Sequence, residues 1–211
     1  MKTLSLSLFI TMLTAQTLFA QNETWKIETA QLPNGGSYDG TVRIAKTGNT
    51  FNVDWKTTAG NYSGVGVMIN GKLFVGYGIN SAYGVAVYKV NANGNQMEGV
   101  WTASQFNGVT GTEMLTGQGG QYDVLGTNPD GGTYRGKLMM QKTGRTVQVQ
   151  WNVANQTYNG VGFQSGDYLV IGYGFGQSFG VVEYAMQNNR ANGRWAMGGG
   201  ADLGAENLVR Q

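Results

Sequence analysis

The side chains best able to do chemistry in this chain are aromatic, and they come in matched pairs. Trp55, Trp101, Trp151 and Trp195 recur in two halves of the sequence, as do Tyr38, Tyr62, Tyr77 and Tyr88 with Tyr134, Tyr158, Tyr173 and Tyr184. Indole and phenol rings combine an apolar face with a polar handle, so at a barrel mouth they would stack on a sugar or flat ligand and hydrogen-bond it. The competing role is to fill the interior of a small barrel. Trp55 and Trp151 end apolar stripes, which suits a core. Trp101 and Trp195, close to strand ends, are the better candidates for ligand binding, together with Tyr38 and Tyr134.

Catalysis has less to work with. There is no His and no Cys, so neither a Ser-His-Asp nor a Cys-His centre can form, nor a zinc site of the usual nitrogen and sulfur type. A glycosidase needs two acids flanking one bond, yet between the halves Asp54 becomes Gln150, Glu98 becomes Asn192 and Asp39 becomes Arg135. Only Glu113 and Glu206 stay in register, and a lone glutamate in a terminal strand is expected to be a surface ion-pair or edge charge. Lys46-Thr47-Gly48 and Lys142-Thr143-Gly144 imitate a penicillin-binding motif without its Ser-x-x-Lys partner, and read instead as hairpin turns closed by a glycine of positive φ. No catalytic, metal-binding or cofactor-binding residue is expected. A net charge of +2 removes the usual electrostatic driver of nucleic-acid binding.

The elements that must hold these residues come from a duplication. Residues 34–88 laid over 130–184, an offset of 96, match without a gap at about 21 of 55 positions. After a two-residue deletion, Gly99-Val100-Trp101 falls over Gly193-Arg194-Trp195. The copies divide the chain into repeat 1, residues 21–117, and repeat 2, residues 118–211.

Inside each copy the apolar period is 2, which argues strand. Phe51, Val53 and Trp55 alternate with Asn52, Asp54 and Lys56; Val147, Val149 and Trp151 alternate with Gln148, Gln150 and Asn152. Each copy reads as about seven short antiparallel strands, and no helix is expected. If Asn70-Gly71 and Gly166-Asp167 are two-residue turns of types I′ and II′, facing residues sum to 141 and 333. Gly64 then faces Tyr77 and Gly160 faces Tyr173, so glycine is expected to make room for the bulky residue opposite and to let the ribbon coil. Strong coiling favours a closed barrel or tight sandwich over a flat sheet.

The expected fold is therefore all-β: two tandem repeats of short antiparallel strands forming small, calycin-like barrel or sandwich modules. One continuous barrel of some fourteen strands is the alternative. An outer-membrane barrel fits less well, because its strands need about 9 to 11 residues and an apolar outer face. Val65, Val67 and Phe74, with Val161, Phe163 and Val170, make the third and fourth strands apolar on their second face as well. These six residues are the expected interface between modules, or else a patch for a partner or for self-association, or scattered surface apolars.

Residues 1–20, MKTLSLSLFITMLTAQTLFA, have the lysine, apolar run and small final residue of a secretory signal peptide, cut after Ala20 or near Ala15. Nothing later approaches eighteen consecutive apolar residues, so no transmembrane anchor is expected. The mature chain is expected in the periplasm, on the cell surface or secreted.

GTNPDGGTYRGKL, QVQWNVANQTYNGVG, DYLVIGYG, GVVEY and GRWAM resemble a group of exported bacterial β-modules, some labelled fibronectin-binding protein. The resemblance covers repeat 2 and, more loosely, repeat 1, and implies a small β-barrel outside the cytoplasm. Together with the aromatics it implies a non-catalytic binding or adhesion protein, engaging a host matrix protein, a glycan or a small apolar ligand. A structural component of the envelope or extracellular matrix is the alternative, and an enzyme ranks third.

Overall fold

The computed structural model describes residues 22–79, 83–174 and 178–211, and the expected signal peptide lies outside them. Every regular element among the described residues is a strand, and no helix there is long and apolar enough to cross a membrane.

The strands close into two eight-stranded antiparallel barrels. Barrel 1 begins with β1 (Asn22–Gln31), β2 (Gly40–Thr47), β3 (Thr50–Thr57), β4 (Gly60–Ile69) and β5 (Lys72–Gly78). The chain then leaves to build all of barrel 2 from β6 (Tyr83–Val90), β7 (Gln96–Ala103), β8 (Gly111–Gln118), β9 (Gln121–Thr127), β10 (Thr133–Thr143), β11 (Thr146–Val153), β12 (Gln156–Ser165) and β13 (Tyr168–Gly174). It returns as β14 (Phe179–Met186), β15 (Arg190–Met197) and β16 (Gly204–Arg210), with β14 pairing to β5 and β16 to β1. Barrel 2 closes by pairing β13 to β6.

Each copy of the repeat thus supplies eight strands, β1–β8 or β9–β16, one more than the alternation suggests. Barrel membership changes elsewhere, after β5 and after β13. Barrel 1 takes five strands from repeat 1 and three from repeat 2, and barrel 2 the converse.

Hydrophobic alternation sets the faces. Phe51, Val53 and Trp55 point into barrel 1 and Val149 and Trp151 into barrel 2, each within a separate buried cluster. An eight-stranded barrel leaves an interior just wide enough to be filled by side chains or to hold one small ligand. The β4–β5 and β12–β13 hairpins have the registers that their turns dictate, with Gly64 opposite Tyr77 and Gly160 opposite Tyr173. Asn70 and Gly71 have φ of 50° and 76°, and Gly166 has 59°, the left-handed values that the primed turns require.

The occupant of the space above Gly64 is not the residue facing it. A Cβ at Gly64 would lie 2.6 Å from Val75 Cγ1 and 2.9 Å from Trp55 Cζ3. The Tyr77 ring lies instead over Gly180 of the next strand, and Tyr173 over Gly84. Side chains lean along and across strands, so the partner that fills a glycine's space need not be the one opposite in the ladder.

A third buried cluster joins the barrels through Val67, Phe74, Val161, Phe163 and Val170, with Val85, Val87, Phe179 and Val181. Val65 is also buried. The second apolar face of these hairpins is therefore internal, and unavailable as an outer patch for a partner. Two glycine contacts bring the barrels together: a Cβ on Gly76 would stand well inside 3.0 Å of the Gly84 carbonyl, and one on Gly172 likewise against Gly180. The Lys-Thr-Gly turns also cross the boundary. Asn49 N donates to Gly108 O at 2.8 Å, and Arg145 N to Ala201 O at 2.7 Å, while Gly48 and Gly144 have φ of 56° and 59°.

Candidate functional site

One end of each barrel interior is a cup. Cup 1, in barrel 1, has a volume of about 360 Å³ and is walled by Tyr38, Trp55, Tyr62, Tyr77 and Trp195, with Glu206 and Tyr184 deeper in. Cup 2, in barrel 2, is smaller, at about 190 Å³, and is walled by Tyr134, Trp151, Tyr158, Tyr173 and Trp101, with Glu113 and Tyr88. The four candidate ligand-binding residues therefore separate into two pairs, Tyr38 with Trp195 and Tyr134 with Trp101.

Glu206 and Glu113 depart from the sequence expectation. Neither is a surface or edge charge: they are 2% and 6% exposed. The signal was their parity. Glu206 alternates in phase with Gly204 and Leu208, and Glu113 with Gly111 and Leu115, so both must face inward once the strands lie in a barrel.

Each carboxyl organises the aromatics around it. Glu206 accepts hydrogen bonds from Tyr38 Oη at 2.8 Å, from Trp55 Nε1 at 3.0 Å and from Tyr184 Oη. Glu113 accepts from Tyr134 Oη at 2.8 Å, from Trp151 Nε1 at 3.2 Å and from Tyr88 Oη. Burial pushes both carboxyls above the usual glutamate range, and the three donors only partly counter it. Burial, and then the neighbouring carboxyl, raises the phenols of Tyr38, Tyr184, Tyr88 and Tyr134, which therefore stay protonated donors.

The rest of the wall is fixed as well. Tyr77 packs edge-on against Tyr62, with ring centroids 5.8 Å apart, and its hydroxyl donates to Ala196 O at 3.2 Å. Tyr173 does the same against Tyr158 at 6.4 Å, donating to Thr102 O at 3.0 Å. The Trp195 and Trp101 indoles lie over Gly204 and Gly111, where a side chain would displace them. Their Nε1 atoms are buried and meet no acceptor in hydrogen-bond geometry. Each indole N–H lies beside the Tyr38 or Tyr134 hydroxyl and counters the rise of that phenol's pKa, the smallest of the influences on it.

The cups differ at the rim. Phe106, in the β7–β8 loop, packs on Trp101 with centroids 5.4 Å apart and narrows cup 2. The corresponding β15–β16 loop carries Gly198-Gly199-Gly200, which have no side chain to lean on Trp195 as Phe106 leans on Trp101. Leu32, Ile79 and Met197 give cup 1 an apolar lip, where cup 2 presents Asn128 and Gln105. Comparison with protein-family models, curated proteins and solved structures finds no match to this chain.

Proposed function

We propose that this is an exported, non-catalytic binding protein whose two cups each hold a small, largely apolar molecule. The observation that carries the proposal is the wall of fixed aromatic rings around an open-ended cavity, repeated in both barrels. Cup size supports a small occupant over a protein or glycan surface: a cavity of about 150 Å³ takes up benzene, so cup 2 suits one ring and cup 1 roughly two. A single carboxyl per cup, committed to three donors, supports binding rather than acid-base chemistry.

Fluorine NMR titration of residues 21–211 with fluorobenzene tests this. Two saturable sites are expected, one lost in Val182→Phe, which fills cup 1, and the other in Ala86→Phe, which fills cup 2. Binding that is absent, or that survives in the folded double variant, removes the cups from consideration.

A further inference from the structure

Each barrel reaches across to the mouth of the other. We infer that Gln148 and Thr146, on the outer wall of barrel 2, are positioning residues for cup 1 in barrel 1, because they hold the turn from which the Met197 lip projects. This rests on the proposed binding role of the cups.

Met197 ends β15 and opens a turn. Its carbonyl accepts from Gly200 N at 2.9 Å, and Gly199, the third residue of the turn, has φ of 75°, a left-handed value that favours glycine. Gly198, Gly199 and Gly200 have no side chains with which to anchor themselves, and glycine has the most backbone freedom to lose on ordering. The anchors come from barrel 2. The Gln148 amide grips the turn with both of its groups, accepting from Gly199 N at 3.2 Å and donating from Nε2 to Gly200 O at 3.1 Å. Thr146 Oγ1 donates to the same Gly200 carbonyl at 2.7 Å, beside the bond from Arg145 N to Ala201 O. Thr146 has outward parity in β11 yet is only 1% exposed, a burial that the packed turn accounts for. Neither Gln148 nor Thr146 lines a cup, so their effect on cup 1 must run through the turn.

The duplication supplies a comparison. At cup 2, Asn49 N holds Gly108 O in the β7–β8 loop just as Arg145 N holds Ala201 O. The side chains beside that bond act differently. Asn52, in the place of Gln148, donates its shorter amide to Thr47 Oγ1, and Thr50, in the place of Thr146, donates to Thr47 O, both within their own barrel. The cup 2 loop instead seats Phe106 on Trp101. The clasp by side chains of the neighbouring barrel therefore goes with the glycine loop of cup 1.

Fluorine NMR titration of residues 21–211 with fluorobenzene, with the two sites assigned by Val182→Phe and Ala86→Phe, reads both cups in one sample. Gln148→Ala is expected to weaken cup 1 about three- to tenfold, because ordering the loop then falls on the binding step. Cup 2 should be unchanged, although it lies in the barrel that carries the substitution. Thr146→Val, of nearly the same shape, should act in the same direction, and Asn52→Ala should leave both cups as they are. Amide exchange at Gly199 should quicken in Gln148→Ala. The inference is overturned if Gln148→Ala leaves cup 1 unchanged, weakens both cups equally or weakens cup 2 alone, or if Gly199 exchange stays the same. A wild type that binds at neither site would remove the cups as binding sites, and this inference with them.

Discussion

Replacing Glu206 by leucine or by glutamine separates two roles that one carboxyl plays in barrel 1. Leucine removes the acceptor for Tyr38 and Tyr184 at once, and leaves Trp55 Nε1 only the Tyr184 oxygen at 3.1 Å. Each buried donor left unmet costs about 1–3 kcal/mol, so the gross loss for the two hydroxyls is about 2–6 kcal/mol. Relief from burying a carboxyl and water entering the cup offset part of that. A net loss of about 2 kcal/mol or more is expected, a sizeable share of the roughly 5–15 kcal/mol typical of a folded protein. Glutamine keeps a carbonyl for two donors, and its amide meets the Tyr38 oxygen once that hydroxyl turns its proton away, so its cost should stay within about 1 kcal/mol. The pH dependence gives an independent sign. Burial raises the Glu206 pKa above its unfolded value, so the stability tied to its protonated form is complete below about pH 4.3, the unfolded value, and is lost as pH rises through the folded pKa. Urea denaturation followed by tryptophan fluorescence at pH 4 and pH 8 should therefore show Glu206→Gln gaining on the wild type at the higher pH. Equal losses for leucine and glutamine, or a wild type that gains on glutamine as pH rises, would refute the assignment of Glu206 as a buried hub.

Other expectations follow from the packing. Gly76→Ala would drive a methyl group into the Gly84 carbonyl across the inter-barrel boundary, where only backbone can yield; it should lower stability by about 1–3 kcal/mol or more, read from the melting temperature. Residues 83–174 contain every strand of barrel 2 in chain order, so that fragment should give a cooperative β-sheet melt by circular dichroism, whereas 22–118, a whole repeat but parts of two barrels, should not. Phe106→Gly should widen cup 2 enough to admit 1-fluoronaphthalene, adding a saturable site that the wild type lacks in the fluorine NMR titration.

Much of this architecture was legible in the sequence because it depends on local rules. Period-2 stripes such as Phe51-Val53-Trp55 and turns such as Asn70-Gly71 specify strands and register over a few residues, and the doubly apolar hairpins announce a second cover. Which strands share a barrel is another matter. β6–β8 and β14–β16 are near copies, so either set could complete the ladder beside β5, and nothing in their alternation distinguishes the two closures. The candidate pairs Trp101 with Tyr134 and Trp195 with Tyr38 were visible as recurring aromatics. Their partners Glu113 and Glu206 were not, because acidic side chains are rarely buried and only the closed barrel shows what their inward parity means.

The exchange of strands has a consequence for how such a protein can change. Cup 1 draws Tyr38, Trp55, Tyr62 and Tyr77 from the first copy but Tyr184, Trp195 and Glu206 from the second, and cup 2 is composed the other way round. Neither half of the gene owns a pocket. A substitution in one half reshapes one cup directly, as Phe106 does where the other copy has Gly198-Gly199-Gly200, but it must fit a wall encoded by the other half.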